Sequence, residues 1–392
     1  MYLSPSLSNG ARELGPLSSK FPSHPPLSRE RHMRLYCKYP NSPVLLPGDI
    51  SLRHYEPGWH HFSREELPYV FMHNHLGDNW RRPQPDELAD GDTLLLVRDG
   101  GIGDLVLMTP LIRESAERGL EVHVACVSGF QSVLWGNPHI AAIHTWDGGG
   151  HPSFDPQCYD YLVDLIFAVD SYATEYDRTT PRVDRFGDIV WGHPPTDKHT
   201  ELYQEPEAQA RADELLHSLG DKPFIVMCSS SWANNLRRWD PSYWPEFATL
   251  SQKKGYAVVL LGQLDSREQA PTAELDLRGQ TTLQECTGVL RRATGIVSPD
   301  TGTLHLAAAC GTPTVGLFGP SDPKLITCYY PENLKVLSAN KEVGCPPCLQ
   351  HNGDCSKCMT ALRPAQVWEA LEQTMSRKGA DVSCSTAVAV SP

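Results

Sequence analysis

A chain of 392 residues exceeds one ordinary domain and carries enough sequence for two separate cores. Its 40% hydrophobic and 21% charged content is that of a water-soluble globular protein, and no run reaches the ~18 consecutive apolar residues of a membrane-crossing helix. The net charge of −13 disfavours a surface for duplex nucleic acid, which needs clustered Lys and Arg.

Residues 1–33 read as a disordered leader, rich in Pro, Ser and charge, with Met33 an alternative initiator. The leader has no apolar signal core, so the chain is expected to stay in the cytoplasm. In that reducing compartment its 12 cysteines are free thiols or metal ligands rather than disulfides. Residues 34–90 form a small β-rich extension; its histidines, 54, 60, 61, 73 and 75, lack ligand spacing and read as packed or exposed side chains.

Regular α/β alternation begins at Thr93. The run Leu94–Val97 is a buried-type strand, and Arg98-Asp99-Gly100-Gly101-Ile102-Gly103-Asp104 is a glycine-rich loop feeding a helix over Leu105–Arg118. Further strands are predicted at 121–127, 142–146 and 161–165, giving a Rossmann-like parallel sheet for an N-terminal domain over 91–205. The loop is not the Gly-x-Gly-x-x-Gly of dinucleotide enzymes, which disfavours a nicotinamide dehydrogenase. A helix over 207–219 then leads into a second Rossmann-like domain, 206–376: strand 224–228, loop 229–240, helix 243–254, strand 257–261 and helix 283–292.

That second half culminates in Ile296-Val297, the turn Pro299-Asp300-Thr301-Gly302, a small-residue helix from Thr303 to Cys310, and a strand over Thr314–Phe318. Unpartnered amides and the helix dipole at such a helix start suit a phosphate. The last helix is expected over Pro364–Met375, and 377–392 as a disordered tail.

In order and spacing, Gly100-Gly101-Ile102-Gly103-Asp104 with Thr109-Pro110, Ser229-Ser230, Arg237-Arg238-Trp239 with Trp244, Gly262, Asp300-Thr301-Gly302 with His305, and Gly319-Pro320-Ser321-Asp322-Pro323 resemble the family 9 glycosyltransferases. The resemblance covers roughly residues 91–376. It implies two Rossmann-like domains facing a cleft, the GT-B type, and an inverting, metal-independent transfer of a sugar from a nucleotide diphosphate to an acceptor hydroxyl. The acceptor is then held by the N-terminal half and the donor by the C-terminal half. Heptose from an ADP-sugar and a lipopolysaccharide-type glycan acceptor are the implied substrates. A protein or modified-nucleobase acceptor and a non-catalytic sugar-nucleotide or glycan-binding protein remain the alternatives.

Asp104 matches the family's catalytic aspartate, with Gly101 and Gly103 letting the acceptor approach; the competing reading of Asp104 is a helix N-cap. Under that reading Asn would replace it without cost. For the donor, Ser229 and Ser230 offer hydroxyls to phosphate, and Arg237 stands where the family usually has lysine, with Arg238 as the alternative register. Asp300, Thr301 and Gly302 complete the diphosphate turn; His305 reads either as a donor to phosphate or sugar or as a packing histidine. Gln263, beside Gly262 and Asp265, falls at the nucleoside. Finally, Cys345, Cys348, Cys355 and Cys358 form two Cys-x-x-Cys pairs in the loop 345–358, a tetrathiolate pattern for a structural zinc or iron. Catalysis itself is expected to need no cofactor.

Overall fold

The structure, a computed structural model, describes residues 88–98, 100–145, 154, 158–165, 180–229, 235–264, 271–327, 332–345 and 357–385, with backbone alone at 33–37, 42–44, 53–55, 58–62, 164, 235 and 378–385. The leader as far as His32 and the chain end from 386 lie outside these residues. Two antiparallel pairs come first: β1 (Met33–Cys37) with β4 (Gly58–Phe62), and β2 (Ser42–Val44) with β3 (Arg53–Tyr55).

The N-terminal half is built on β5 (Thr93–Arg98), followed by α1 (Ile102–Glu117), β6 (Glu121–Cys126), β7 (Ala142–Thr145), β8 (Tyr161–Asp164) and α2 (Arg182–Trp191). All four strands run parallel in the order β7-β6-β5-β8. Parallel strands are covered on both faces and so need continuous apolar runs; Leu94, Leu95 and Leu96 are all fully buried. The chain winds one way from β5 to β7, then returns to place β8 on the other side of β5. The winding reverses at the carboxyl ends of β5 and β8, the position at which open α/β sheets bind their ligands.

α3 (Pro206–Leu216) leads into the second half, closed by one turn of 3-10 helix at His217–Leu219, where a single α-helix to residue 219 was expected. Gly220, at φ +56, ends it. The sheet comprises β9 (Phe224–Met227), β10 (Ala257–Leu260), β11 (Leu275–Asp276), β12 (Gly295–Pro299), β13 (Thr314–Phe318) and β14 (Leu334–Ser338), all parallel in the order β11-β10-β9-β12-β13-β14. This is the doubly wound order with its reversal between β9 and β12. Helices α4 (Tyr243–Lys253), α5 (Leu283–Arg292), α6 (Gly302–Ala309), α7 (Pro323–Ile326), α8 (Lys357–Ala361) and α9 (Pro364–Ser385) accompany it. The start of α5 is fixed by a reciprocal cap: Thr282 Oγ1 accepts from Glu285 N, and Glu285 Oε2 accepts from Thr282 N.

α9 continues to Ser385, so the tail expected from 377 is helical over its first part; 376–385 contains no proline and only Gly379 as a breaker. Between the halves, Gln284 of α5 donates to Ser132 O and Tyr203 O and accepts from Glu205 N. The starts of α1 and α6 also meet. A Cβ on Gly103 would lie 2.6 Å from His305 Cδ2, and one on Gly302 would lie 2.7 Å from Ile102 Cβ. Each helix therefore presents a glycine to receive the other's side chain.

Candidate active site

Asp104 sits at the carboxyl end of β5, where the first sheet reverses. Glycine at 103 argues against a helix interior, which is why the helix is expected from Leu105; α1 instead begins at Ile102, with Gly101 as its N-cap. Asp104 is therefore the third helical residue and not the cap itself. Its Oδ2 accepts from Gly101 N at 3.0 Å and from Arg98 Nη2 at 3.1 Å, while Oδ1 faces Arg182 Nη1 of α2. Arg98 is the last residue of β5 and 1% exposed; its Nη1 donates to Leu165 O, directly after β8. Burial would raise the Asp104 pKa, but Arg182 and Arg98 outweigh it and hold the carboxyl well below the usual carboxylate range.

Across the reversal of the second sheet stands Asp300, directly after β12. It is buried, accepts from Ser321 Oγ through Oδ2, and meets Arg237 Nη1 at 3.2 Å through both its backbone oxygen and Oδ2. His305 Nε2 lies 3.9 Å from Asp300 Oδ1. Burial again pushes the pKa up, and His305, Arg237 and Ser321 together bring it below the ordinary value. Thr301 caps α6 and shares a hydrogen bond with Ser298 Oγ at 3.0 Å. Arg237 ends a 3-10 turn, Asn235–Arg237, and the loop is anchored two residues on by buried Trp239, whose Nε1 donates to Leu362 O at 2.7 Å and whose ring packs edge-on against Trp244. The ion pair with Asp300 ties Arg237 to the turn that opens α6.

The structure thus gathers Arg237, Asp300, Thr301, Gly302 and His305 at one helix start, with buried Ser229 following β9 at the same reversal. Gly103 brings α1 against His305, so Asp104, the next residue, follows directly on the point where α1 meets α6. Gln263 is exposed after β10, next to Gly262 at φ +116. Ser230, Asp265 and Asp99 fall outside the described residues, as do Cys348 and Cys355. Of the two described cysteines of the expected cluster, Cys358 is buried beside Gly319 and Cys345 is half-buried. Among the described residues no group of three or more His, Cys, Asp or Glu is placed to hold a metal. Nor, among them, is any helix long and apolar enough to cross a membrane.

Three participants escape a reading of the sequence. Arg98 carries one signal, a charge closing an apolar strand beside the glycine loop. Arg182 carries none, since it lies 78 residues from Asp104 in the chain. Ser321 lies in a motif of the resemblance, but its bond to Asp300 emerges only in three dimensions.

The model of glycosyltransferase family 9 (heptosyltransferase) matches residues 169–358. A lipooligosaccharide heptosyltransferase 2 of Haemophilus influenzae is 28% identical over 162 residues, 36% of this chain and 47% of that one. A lipopolysaccharide heptosyltransferase 1 of Pseudomonas aeruginosa is 25% identical over 314 residues, 66% of this chain and 86% of that one. The chain thus matches about half the length of the first relative and most of the second. Among solved structures, the E. coli ADP-heptose LPS heptosyltransferase II superposes with a TM-score of 0.56 at 18% identity, covering 74% of this chain and 99% of that one. The iron-containing dodecameric glycosyltransferase TibC of enterotoxigenic E. coli gives 0.56 at 19% identity, covering 73% and 79%. At such identities the structural likeness speaks for the fold, which is the two-domain GT-B architecture. With the family match and the heptosyltransferase relatives laid over that architecture, the chain is similar to the family 9 heptosyltransferases.

Proposed function

We propose that the protein is an inverting glycosyltransferase that moves a sugar, heptose, from a nucleotide diphosphate donor such as ADP-heptose to an acceptor hydroxyl of a lipopolysaccharide-type glycan. The observation that carries this reading is the meeting of α1 and α6, which puts a buried carboxylate on one wall of the cleft and an anion-suited helix start on the other. The acceptor hydroxyl gives its proton to Asp104 and its oxygen bonds to the anomeric carbon from the face opposite the diphosphate. The bond from that carbon to the diphosphate oxygen breaks, and the electron pair leaves with the nucleotide.

Positive groups are needed where that charge develops. Arg237, the Ser229 hydroxyl and the first amides of α6 supply them, and because a guanidinium can make two parallel bonds to a diphosphate, the site can work without a divalent ion. Asp300 does not suit a phosphate, since like charges repel; its carboxylate suits the donating hydroxyls of the sugar. Arg237 bound to Asp300 is then the resting partner of the acid, and the donor's phosphates compete for that cation.

ADP is expected to raise the melting temperature of the protein, since binding to the native state alone stabilises it. Replacing Arg237 by alanine should remove most of that shift, whereas replacing Arg238 should leave most of it. No shift with ADP, GDP or UDP at millimolar concentration would count against a nucleotide-sugar enzyme, and a larger loss at Arg238 would place the diphosphate one residue further along the loop. Transfer itself is checked by mass spectrometry of glycan and protein acceptors incubated with ADP-heptose.

The donor set Cys345, Cys348, Cys355 and Cys358 is chemically that of a structural zinc or iron, four soft thiolates in two closely spaced pairs. Elemental analysis of protein purified without added metal should find one ion per chain, and a chelator should lower the melting temperature without stopping turnover of the folded fraction. Metal-free protein with unchanged melting removes the site.

A further inference from the structure

Asp300 is buried, and two donors of unlike kind meet on one of its oxygens. Oδ2 accepts from Ser321 Oγ and lies 3.2 Å from Arg237 Nη1, which also donates to the backbone oxygen of Asp300. Ser321 is 6% exposed, and the turn that carries it is held on both sides. Before it, Asn340 Nδ2 donates to Gly319 O at 2.7 Å, and Cys358 Sγ lies 2.6 Å from where a Cβ on Gly319 would stand. After it, Asp322 caps α7 by accepting from Lys324 N at 3.0 Å. The Ser321 hydroxyl is thus delivered to Asp300 by a fixed turn.

Arg237 is less enclosed. Its side chain is 26% exposed, and its Nε is buried without a partner among the described residues. An orphaned buried donor is costly and points to an acceptor that a ligand brings. The guanidinium therefore gives Nη1 to Asp300 and keeps the edge that bears Nε for a ligand oxygen.

We propose that Ser321 is a positioning residue for the donor: by holding Oδ2 of Asp300 it limits the carboxylate to a single N–H of Arg237 and leaves the rest of that guanidinium to the diphosphate. The proposal rests on the reading of Arg237 as the diphosphate's cation. A carboxylate left to itself takes a guanidinium through two parallel bonds. Two such bonds to Asp300 would occupy the fork that a diphosphate needs. Ser321 fills one acceptor site of Asp300 without adding charge, so it weakens the pair inside the protein and not the bond to the ligand.

Calorimetry of ADP binding reads this partition. Ser321→Ala should weaken ADP about tenfold, the worth of one hydrogen bond to a charged group. Ser321→Thr, which keeps the hydroxyl, should bind within about twofold of the native protein, the ordinary error of such comparisons. In Asp300→Asn the competing charge is gone, and there Ser321→Ala should change ADP binding by less than about twofold. A merely structural turn would lose the same affinity in both backgrounds. Should Ser321→Ala not fold, Ser321→Cys takes its place, because a thiol is a much weaker donor than a hydroxyl. An unchanged affinity in the alanine or cysteine variant, a threonine variant as weak as alanine, or an equal loss in the Asp300→Asn background would each overturn the proposal.

A second arm needs no ligand. Arg237→Ala should lower the urea midpoint further in the Ser321→Ala background than in the native one, because Oδ2 of Asp300 then has lost both donors. If the native protein binds neither ADP, GDP nor UDP, the nucleotide reading fails and the proposal fails with it. The urea arm then still shows whether Ser321 controls the ion pair, so the two failures are told apart.

Discussion

Asp104→Asn is expected to lower the rate of sugar transfer by ~10²–10⁴-fold, the usual worth of a positioned general base. ADP affinity, measured on the same variant, should barely change, because the proposed nucleotide site is built from the C-terminal half. The variant is also expected to be less stable, which a capping role alone would not cause. Asparagine caps a helix about as well as aspartate, but here it would leave the guanidiniums of Arg98 and Arg182 facing a neutral amide. Rates must therefore be normalised to folded protein. An asparagine variant that transfers sugar at the native rate removes Asp104 from the mechanism, whatever its melting temperature.

Arg98→Met should cost about 3–5 kcal/mol of unfolding free energy, the range found when one partner of a buried ion pair is removed. Methionine fills much of the space, but Leu165 O and Asp104 Oδ2 each lose a donor. The double variant Arg98→Met with Asp104→Asn should recover part of the loss, and the non-additivity measures the coupling. The sign with pH follows from the lowered folded pKa of Asp104. The pair's contribution is fully present above the unfolded carboxylate value, about 3.9, and is lost as pH falls through the folded one. Denaturant curves at neutral and acid pH should thus show the Arg98→Met deficit shrinking in acid. A deficit that is equal at both would mean that Arg98 acts through packing and not through charge.

What the sequence made legible is the scaffold. Leu94–Val97 and the other apolar runs between turn residues identify parallel strands, since only strands covered on both faces have that composition. The small-residue stretch after Asp300 likewise reads as a helix. Boundaries shifted where a residue's local preference gave way to a contact. Gly103 is a poor helix former, yet it is helical, and His305 occupies the space a side chain there would need. In the same way the site was legible as far as it was local: Asp104, Arg237 and the Asp300-Thr301-Gly302 turn each lie in a short motif. The electrostatics of Asp104 were local only as far as Arg98. The charge that decides the state of Asp104 comes from Arg182, on a helix whose approach is set by the packing of α1 against α2, which leaves no mark in the sequence around either residue.

The reciprocal seating of His305 over Gly103 and of Ile102 over Gly302 also acts as a gauge. The reacting distance across a cleft between two bodies is ordinarily adjustable, because hinges drift and loops yield. Here it is set by two missing methyl groups, one on each wall. A single alanine at 103 or 302 would act as a shim, thickening the joint while leaving every group that handles substrate chemically intact. The interval between the Asp104 carboxylate and the start of α6 is thus written in the two residues that have no side chain to contribute to it.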